Sequence, residues 1–289
     1  MIFQISNLDL QFHFNNEIKI TDNFKPFLKQ YTSCHKIYDI YIREIIDLIE
    51  INGDIVFIGD CYQIVQTHLG LVRVFFELEH RNEPYAIGYY DFEMKQIHIY
   101  YRENGKKHFN EIGNSFYHIG WEALLLYENR MILHSCSVDT QYGGILFSGD
   151  SGIGKSTQGN LWIKYQNANM INGDRTILSI EDKWKGYGSP YAGSSRCYKN
   201  ESIEIKAIVF LKQSKKCSIK KIVGAEAFQK IYAQLTINSW DEDYVTKICY
   251  LIEKLINDID IYELSCTPDK QAVDLLSKTL EEDDYENND

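Results

Sequence analysis

Apolar residues in the first third of the chain fall into short runs divided by turn signals. "DIVFIG" (54–59), "LVRVFFELEH" (71–80), "YAIGYYDFE" (85–93) and "QIHIYYR" (97–103) are four such runs. Val72, Val74 and Phe76 alternate with Arg73 and Phe75, the period of two that a strand imposes, and "ENGKK" (103–107) is a turn signal. These runs predict an antiparallel meander. "YDIYIREIIDLIEI" (38–51) carries apolar residues on a helical stripe mixed with strand character, so one helix is expected there. "IGNSFYHIGWEALLLYENR" (112–130) repeats Phe116, Ile119, Leu124 and Tyr127 near helical spacing and predicts a second.

The pattern then changes. "GGILFSG" (143–149) is a short apolar run ending in glycine, as a buried strand entering a turn would be. A helix is expected after Thr157, then strands at 168–172, 175–181, 205–213 and 217–222. Helices at 224–235 and 243–258, a strand at 261–266 and a helix at 270–280 complete the series, and the acidic tail "EEDDYENND" reads as a frayed, solvated end. Trp240 precedes "DEDY", where Asp241 or Asp243 would cap the next helix. The lysines of "LKQSKKCSIKKI" (211–222) read as a solvated strand pair. No internal repeat is visible. Strands mixed with helices give an α/β fold class, with a β-rich N-terminal domain over residues 1–108 and a second domain over 109–289. The meander also has edges to which an extended peptide could add, and the first domain is a candidate for substrate recognition.

Composition narrows the classes of function. The 289 residues carry 30 Lys+Arg against 41 Asp+Glu, a formal net charge of −11. Backbone binding to nucleic acid needs clustered cations, so no nucleic-acid partner is expected. The seven cysteines, among them Cys34 and Cys61, are scattered singly with no zinc spacing. An odd number cannot pair completely, and reduced thiols in a cytoplasmic protein are the simplest reading. No signal-peptide pattern and no apolar stretch of membrane-spanning length is expected.

The chemistry lies at "GDSGIGKST", residues 149–157. Glycines let the backbone curl until successive N–H groups point at one anion. The following helix adds its own unpaired N–H groups and its dipole. The pattern Gly149-x-x-x-x-Gly154-Lys155-Ser156 has both the strand before it and the helix after it that a P-loop requires. The nucleotide site is therefore assigned to Gly149, Asp150, Ser151, Gly152, Ile153, Gly154, Lys155, Ser156 and Thr157. Lys155 would reach the β- and γ-phosphates of ATP, and the Ser156 hydroxyl would hold Mg²⁺. Asp150 and Ser151 either shape the loop or touch ligand. Phosphoryl transfer also needs a group to orient or deprotonate the acceptor. Asp174, at the end of the strand after the loop helix, and His134, in "MILHSCSVDT", are the candidates. Each has a structural alternative, as a turn cap and as a packed histidine respectively.

The stretch "LHSCSVDTQYGGILFSGDSGIGKST" resembles the catalytic domain of the bacterial HPr kinase/phosphorylases. In that family a histidine stands fifteen residues before the first loop glycine, the interval from His134 to Gly149. An Asp-Asp-Arg turn follows the lysine by about eighteen residues, where this chain has "NGDRT", so Asp174 and Arg175 match its last two positions. The resemblance covers roughly residues 130 to 180 well and the rest to about 280 more loosely. It implies a fold related to phosphoenolpyruvate carboxykinase and transfer of phosphate to a hydroxyl. By the matching positions Asp174 would be the general base and His134 would place acceptor or phosphate; either Arg175 or Arg196 would stabilise developing charge. Gly173 stands where the family has its first Asp, and the family's glycine-rich segment with an embedded glutamate is not recognisable. The first third does not resemble the family's usual N-terminal domain.

The chain is more similar to shorter relatives of that family associated with peptide modification. Several carry "Gly-[Ser/Thr]-Pro-aromatic-x-Gly", here residues 188–193. Ser189, Tyr191 and Arg196 become substrate-contact candidates on that basis. The resemblance implies a Ser or Thr hydroxyl of a peptide or protein as acceptor. A free hydroxyl metabolite and a nucleotide sensor without transfer activity are the rivals, the last kept open by Gly173. The family forms hexamers, so a homo-oligomer is among the states implied.

Overall fold

The computed structural model describes residues 1–32, 36–46, 51–68 and 70–286. Cys34 and His35, and part of the helix expected over 38–51, lie outside them. The chain divides into two compact units, Met1–Tyr127 and Glu128–Asp289. It is a mixed α/β protein with one large sheet in each.

The first unit contains β1 (Ile2–Ile5), β2 (Leu8–Phe14), β3 (Leu28–Lys29), β4 (Ile37–Glu44), β5 (Asp54–Ile58), β6 (Tyr62–Thr67), β7 (Gly70–Glu77), β8 (His80–Asp91) and β9 (Gln96–Tyr101), then α1 (Ile112–His118) and α2 (Trp121–Tyr127). The strands form one sheet in the order β3-β1-β2-β4-β9-β8-β7-β6-β5. From β5 to β9 it is the antiparallel meander the alternation predicts. The helix expected from residue 38 is instead β4, parallel to both β2 and β9. Tyr38, Ile40 and Ile42 are buried while Arg43 is exposed, so period two wins over the helical stripe. The "ENGKK" turn is part of a 3₁₀ helix, Glu103–Phe109.

The helix expected over 112–130 is broken in two at Gly120, whose φ of 63° is left-handed. Phe116 on α1 packs against Phe3, Phe12 and Phe24, with ring centroids 5.9, 5.3 and 4.9 Å away. This aromatic cluster ties α1 to the first sheet. The division therefore falls after Tyr127, not at the 108/109 boundary read from the sequence.

The second unit contains β10 (Arg130–Thr140), β11 (Gly143–Ser148), α3 (Lys155–Gln166), β12 (Asn169–Asn172), β13 (Arg175–Ile180), β14 (Trp184–Tyr187), β15 (Ser202–Gln213), β16 (Ser218–Lys221), α4 (Gly224–Gln234), α5 (Glu242–Asp258), β17 (Asp260–Cys266) and α6 (Lys270–Glu286). The sheet order is β11-β10-β13-β14-β15-β17-β16, with β12 on β10 and a further parallel pairing of β11 with β15. That pairing closes β11, β10, β13, β14 and β15 into a ring. α3 lies close on the strands, because Gly159 has no side chain: a Cβ there would stand 2.6 Å from Cys136 Sγ. Trp162 of α3 is buried with Val138, Phe147, Val209 and Leu276.

Asp241 caps α5, its Oδ1 accepting from the Tyr244 N–H at 2.9 Å. Lys220 pairs with Glu226 and Lys221 with Asp260, which neutralises much of the lysine run. The expected frayed tail is helical to Glu286; Tyr142 donates to Glu281 at 2.6 Å and Tyr262 donates to Asp283. The six described cysteines are free thiols. Among the described residues no helix is long and apolar enough to cross a membrane.

Candidate functional site

The loop between β11 and α3 owes its shape to three glycines. Gly149, Gly152 and Gly154 have φ of 133°, 78° and 113°, a region that side-chain-bearing residues avoid. No side chain caps α3, so its first-turn N–H groups are left to the loop. Lys155 folds back over it and donates from Nζ to the carbonyls of Gly149 and Asp150 at 2.9 and 3.0 Å. Burial holds the Lys155 ammonium below its ordinary range, opposed by Asp174 and Asp150. Asp150 and Ser151 are exposed, and Gln234 of α4 donates to Asp150 Oδ1 at 3.4 Å.

Asp174 reaches this loop from the turn between β12 and β13. Antiparallel pairing of β10 with β13 sets His134 opposite Arg175, and the Ser135 N–H donates to the Asp174 carbonyl at 2.9 Å. His134 Nε2 consequently lies 3.2 Å from Asp174 Oδ1, and Arg175 Nε lies 3.7 Å from Oδ2. Burial pushes the His134 ring below its ordinary pKa; Lys155 and Arg175 push the same way, and Asp174 opposes them. Ser156 Oγ donates to the Gly173 carbonyl at 3.1 Å, joining the helix start to the Asp174 turn. Residues far apart in sequence thus converge: Lys155, Ser156, His134, Asp174 and Arg175.

Asn172 builds that turn, and sequence reasoning passed over it. Its Oδ1 accepts from the N–H groups of Asp174 and Arg175 at 2.9 and 2.7 Å, and its Nδ2 donates to the Ser189 carbonyl at 2.9 Å. The available signal was Asn-Gly-Asp itself, since an Asn side chain readily caps the backbone two residues on. Ser189 is buried, and its hydroxyl donates to the Arg175 carbonyl at 2.6 Å. It braces the turn from behind rather than offering a surface to substrate. Tyr191 is half-buried next to it, and Arg196 is exposed after the short 3₁₀ turn Gly193–Ser195.

That turn closes over Gly173. A Cβ at residue 173 would fall 1.8 Å from Ser195 Oγ, which is itself fixed by donating to the Ala192 carbonyl at 2.6 Å. Gly193 abuts the other side of the site, since a Cβ there would be 3.0 Å from Asp174 Cγ. A second carboxylate at 173 has no room.

One cavity opens on the loop and another on His134 and Arg175. The first, of about 640 Å³, is lined by Gly152, Gly154, Thr157, Gln158, Lys212 and Thr267 among others. Gln158 is buried there with its Oε1 lacking a hydrogen-bond partner, while Nε2 donates to Cys266 Sγ at 3.3 Å. The other, of about 220 Å³, is lined by Ile132, His134, Arg175 and residues 233–236 of the α4 end. Among the described residues no three His, Cys, Asp or Glu side chains are placed to hold a metal ion.

No family model matches the chain, and no curated protein matches it. Among solved structures, the Hpr(Ser) kinase/phosphatase from Coxiella burnetii aligns with 54% of this chain and 95% of its own, at 12% identity and a TM-score of 0.34.

Proposed function

We propose that the second unit is an ATP- and Mg²⁺-dependent kinase that phosphorylates a hydroxyl. The observation that carries this reading is the placement of the Asp174 carboxylate, partly exposed and 3.2 Å from His134, against the glycine loop and its lysine. ATP fits the curled loop, the uncapped helix start and Lys155, and when bound there it supplies the γ-phosphoryl group. Magnesium fits a site with few protein ligands, because it keeps waters and takes phosphate oxygens, with the Ser156 hydroxyl as the protein donor. The nucleoside end falls to the 640 Å³ cavity beside the loop. The acceptor falls to the smaller cavity.

Asp174 takes the acceptor proton as the hydroxyl oxygen bonds to the γ-phosphorus, while the bond from that phosphorus to the departing ADP breaks. His134, whose ring burial makes harder to protonate, orients the carboxylate, and Arg175 faces the charge that develops. The acceptor is a Ser or Thr side chain of a peptide or protein. A free hydroxyl metabolite is the second reading, favoured by a cavity of only about 220 Å³.

The test is transfer of labelled γ-phosphate from Mg-ATP to Ser, Thr and Tyr peptides, free hydroxyl metabolites and an HPr-like protein. One acceptor class is expected to take label. Asp174→Asn is expected to lose roughly 100- to 10,000-fold in rate with ATP binding retained. Lys155→Ala loses both. Nucleotide binding with no label on any acceptor would sink the kinase reading in favour of a sensor.

A further inference from the structure

The first unit holds a second site that phosphoryl transfer does not use. On one face of its sheet, Ile55, Val65, Val74, Phe76 and Ile87 wall a groove of about 420 Å³. Arg102 stands in the same lining. Its Nε is buried without a hydrogen-bond partner, and Arg102 makes no ion pair among the described residues. A buried guanidinium N–H without an acceptor is costly, and among the described residues this one has none. An arginine in the lining of an apolar groove is matched by a carboxylate on an apolar ligand.

The groove reaches the edge of the sheet. β5 pairs with β6 on one side and is the last strand in the order. Edge strands are ordinarily blunted by Lys, Pro or bulges. "DIVFI" has no Lys or Pro, and its devices are the exposed Asp54 at its start and a bulge between Ile55 and Phe57. Ile55, Val56 and Ile58 are 55, 48 and 61% exposed, and among the described residues β5 has a strand partner on one side only. That is the geometry of strand addition, in which the main chain gives affinity and side-chain pockets give selectivity.

We propose that this edge binds an extended peptide segment with an apolar residue seated in the groove and an acidic residue paired with Arg102. The site stands independently of phosphoryl transfer. Joined to the kinase reading, it makes the docked segment part of the acceptor peptide.

The experiment is fluorescence anisotropy with the full chain and no nucleotide. The probes are dye-labelled eight-residue peptides of alternating Val and Thr, with Glu, Gln or Lys at the third, fifth or seventh position. At least one Glu peptide is expected to bind about tenfold or more tightly than its Gln counterpart, and the Lys peptides more weakly still. Arg102→Gln should erase the difference between Glu and Gln, with an unchanged melting temperature as the check on folding. The double variant Val56→Lys, Ile58→Lys alters only exposed side chains and should weaken every peptide about tenfold or more. Failure of every peptide to bind, or equal binding of Glu and Gln peptides, overturns the proposal. So does a dimer in sedimentation that the double lysine variant dissolves, because a second copy then holds the edge. Phosphate transfer is read separately, so loss of docking and loss of kinase activity are distinguishable.

Discussion

Asn172 commits its whole amide to the turn that carries Asp174, accepting from two backbone N–H groups and donating to the Ser189 carbonyl. Asn172→Ala is expected to leave these buried groups unpaired and to cost about 1–3 kcal/mol of stability. It should lower kcat while the KM for ATP barely moves, because the glycine loop is built elsewhere. Asn172→Asp keeps the acceptor and should recover part of kcat. A merely structural role would not separate kcat from KM in this way. The loop, Lys155 and Asp174 were legible in the sequence because their chemistry is written in adjacent residues. Asn172 left only the local Asn-Gly-Asp signal, and Ser195 and Gln158 left none, since these two act through neighbours that only the tertiary fold supplies.

Among the elements, α1 has a histidine at its last position that sets a pH limit. His118 is buried, with Nδ1 2.7 Å from the Asn114 carbonyl and the Tyr85 hydroxyl 2.9 Å from Nε2. Burial lowers its pKa from 6.5 to about 4, with His108 pushing the same way and the Asn114 carbonyl opposing. The folded state refuses a proton that the unfolded chain accepts below its ordinary value. Stability is therefore lost as pH falls from 6.5 towards 4, by roughly 3 kcal/mol in all. Denaturant titrations at several pH values should show this slope in the native protein and a shallower one in His118→Gln. The meander and most elements of the second unit followed directly from apolar periodicity. β4 did not, because Ile-Tyr-Asp-Ile-Tyr-Ile satisfies both periods until its neighbours β2 and β9 decide. Nor did α6 beyond residue 280, where Tyr142 and Tyr262 hold the acidic turns that composition alone would leave in solvent.

At the scale of the molecule, the division at residue 127/128 separates the glycine loop from the apolar edge strand. A ligand stabilises the unit that binds it, by about 2.7 kcal/mol at a hundredfold excess over its dissociation constant. Mg-ATP is expected to raise the unfolding temperature reported by the second unit, which contains Trp162, Trp184 and Trp240. The transition of the first unit should stay where it is, and Lys155→Ala should abolish the shift. Calorimetry with and without Mg-ATP checks both.

The parallel pairings of the second sheet also order events during synthesis. Gly144 of β11 pairs with Ile205, and Ala207 of β15 pairs with Asp260, so the strand leading into the glycine loop gains its parallel neighbour only once β15 is made, and β15 gains its own only with β17. The first unit has all its strands and both helices by Tyr127. A polypeptide released early, short of residue 266, would carry a finished N-terminal unit beside a sheet with open parallel edges. Such a product would be a target for proteases and chaperones.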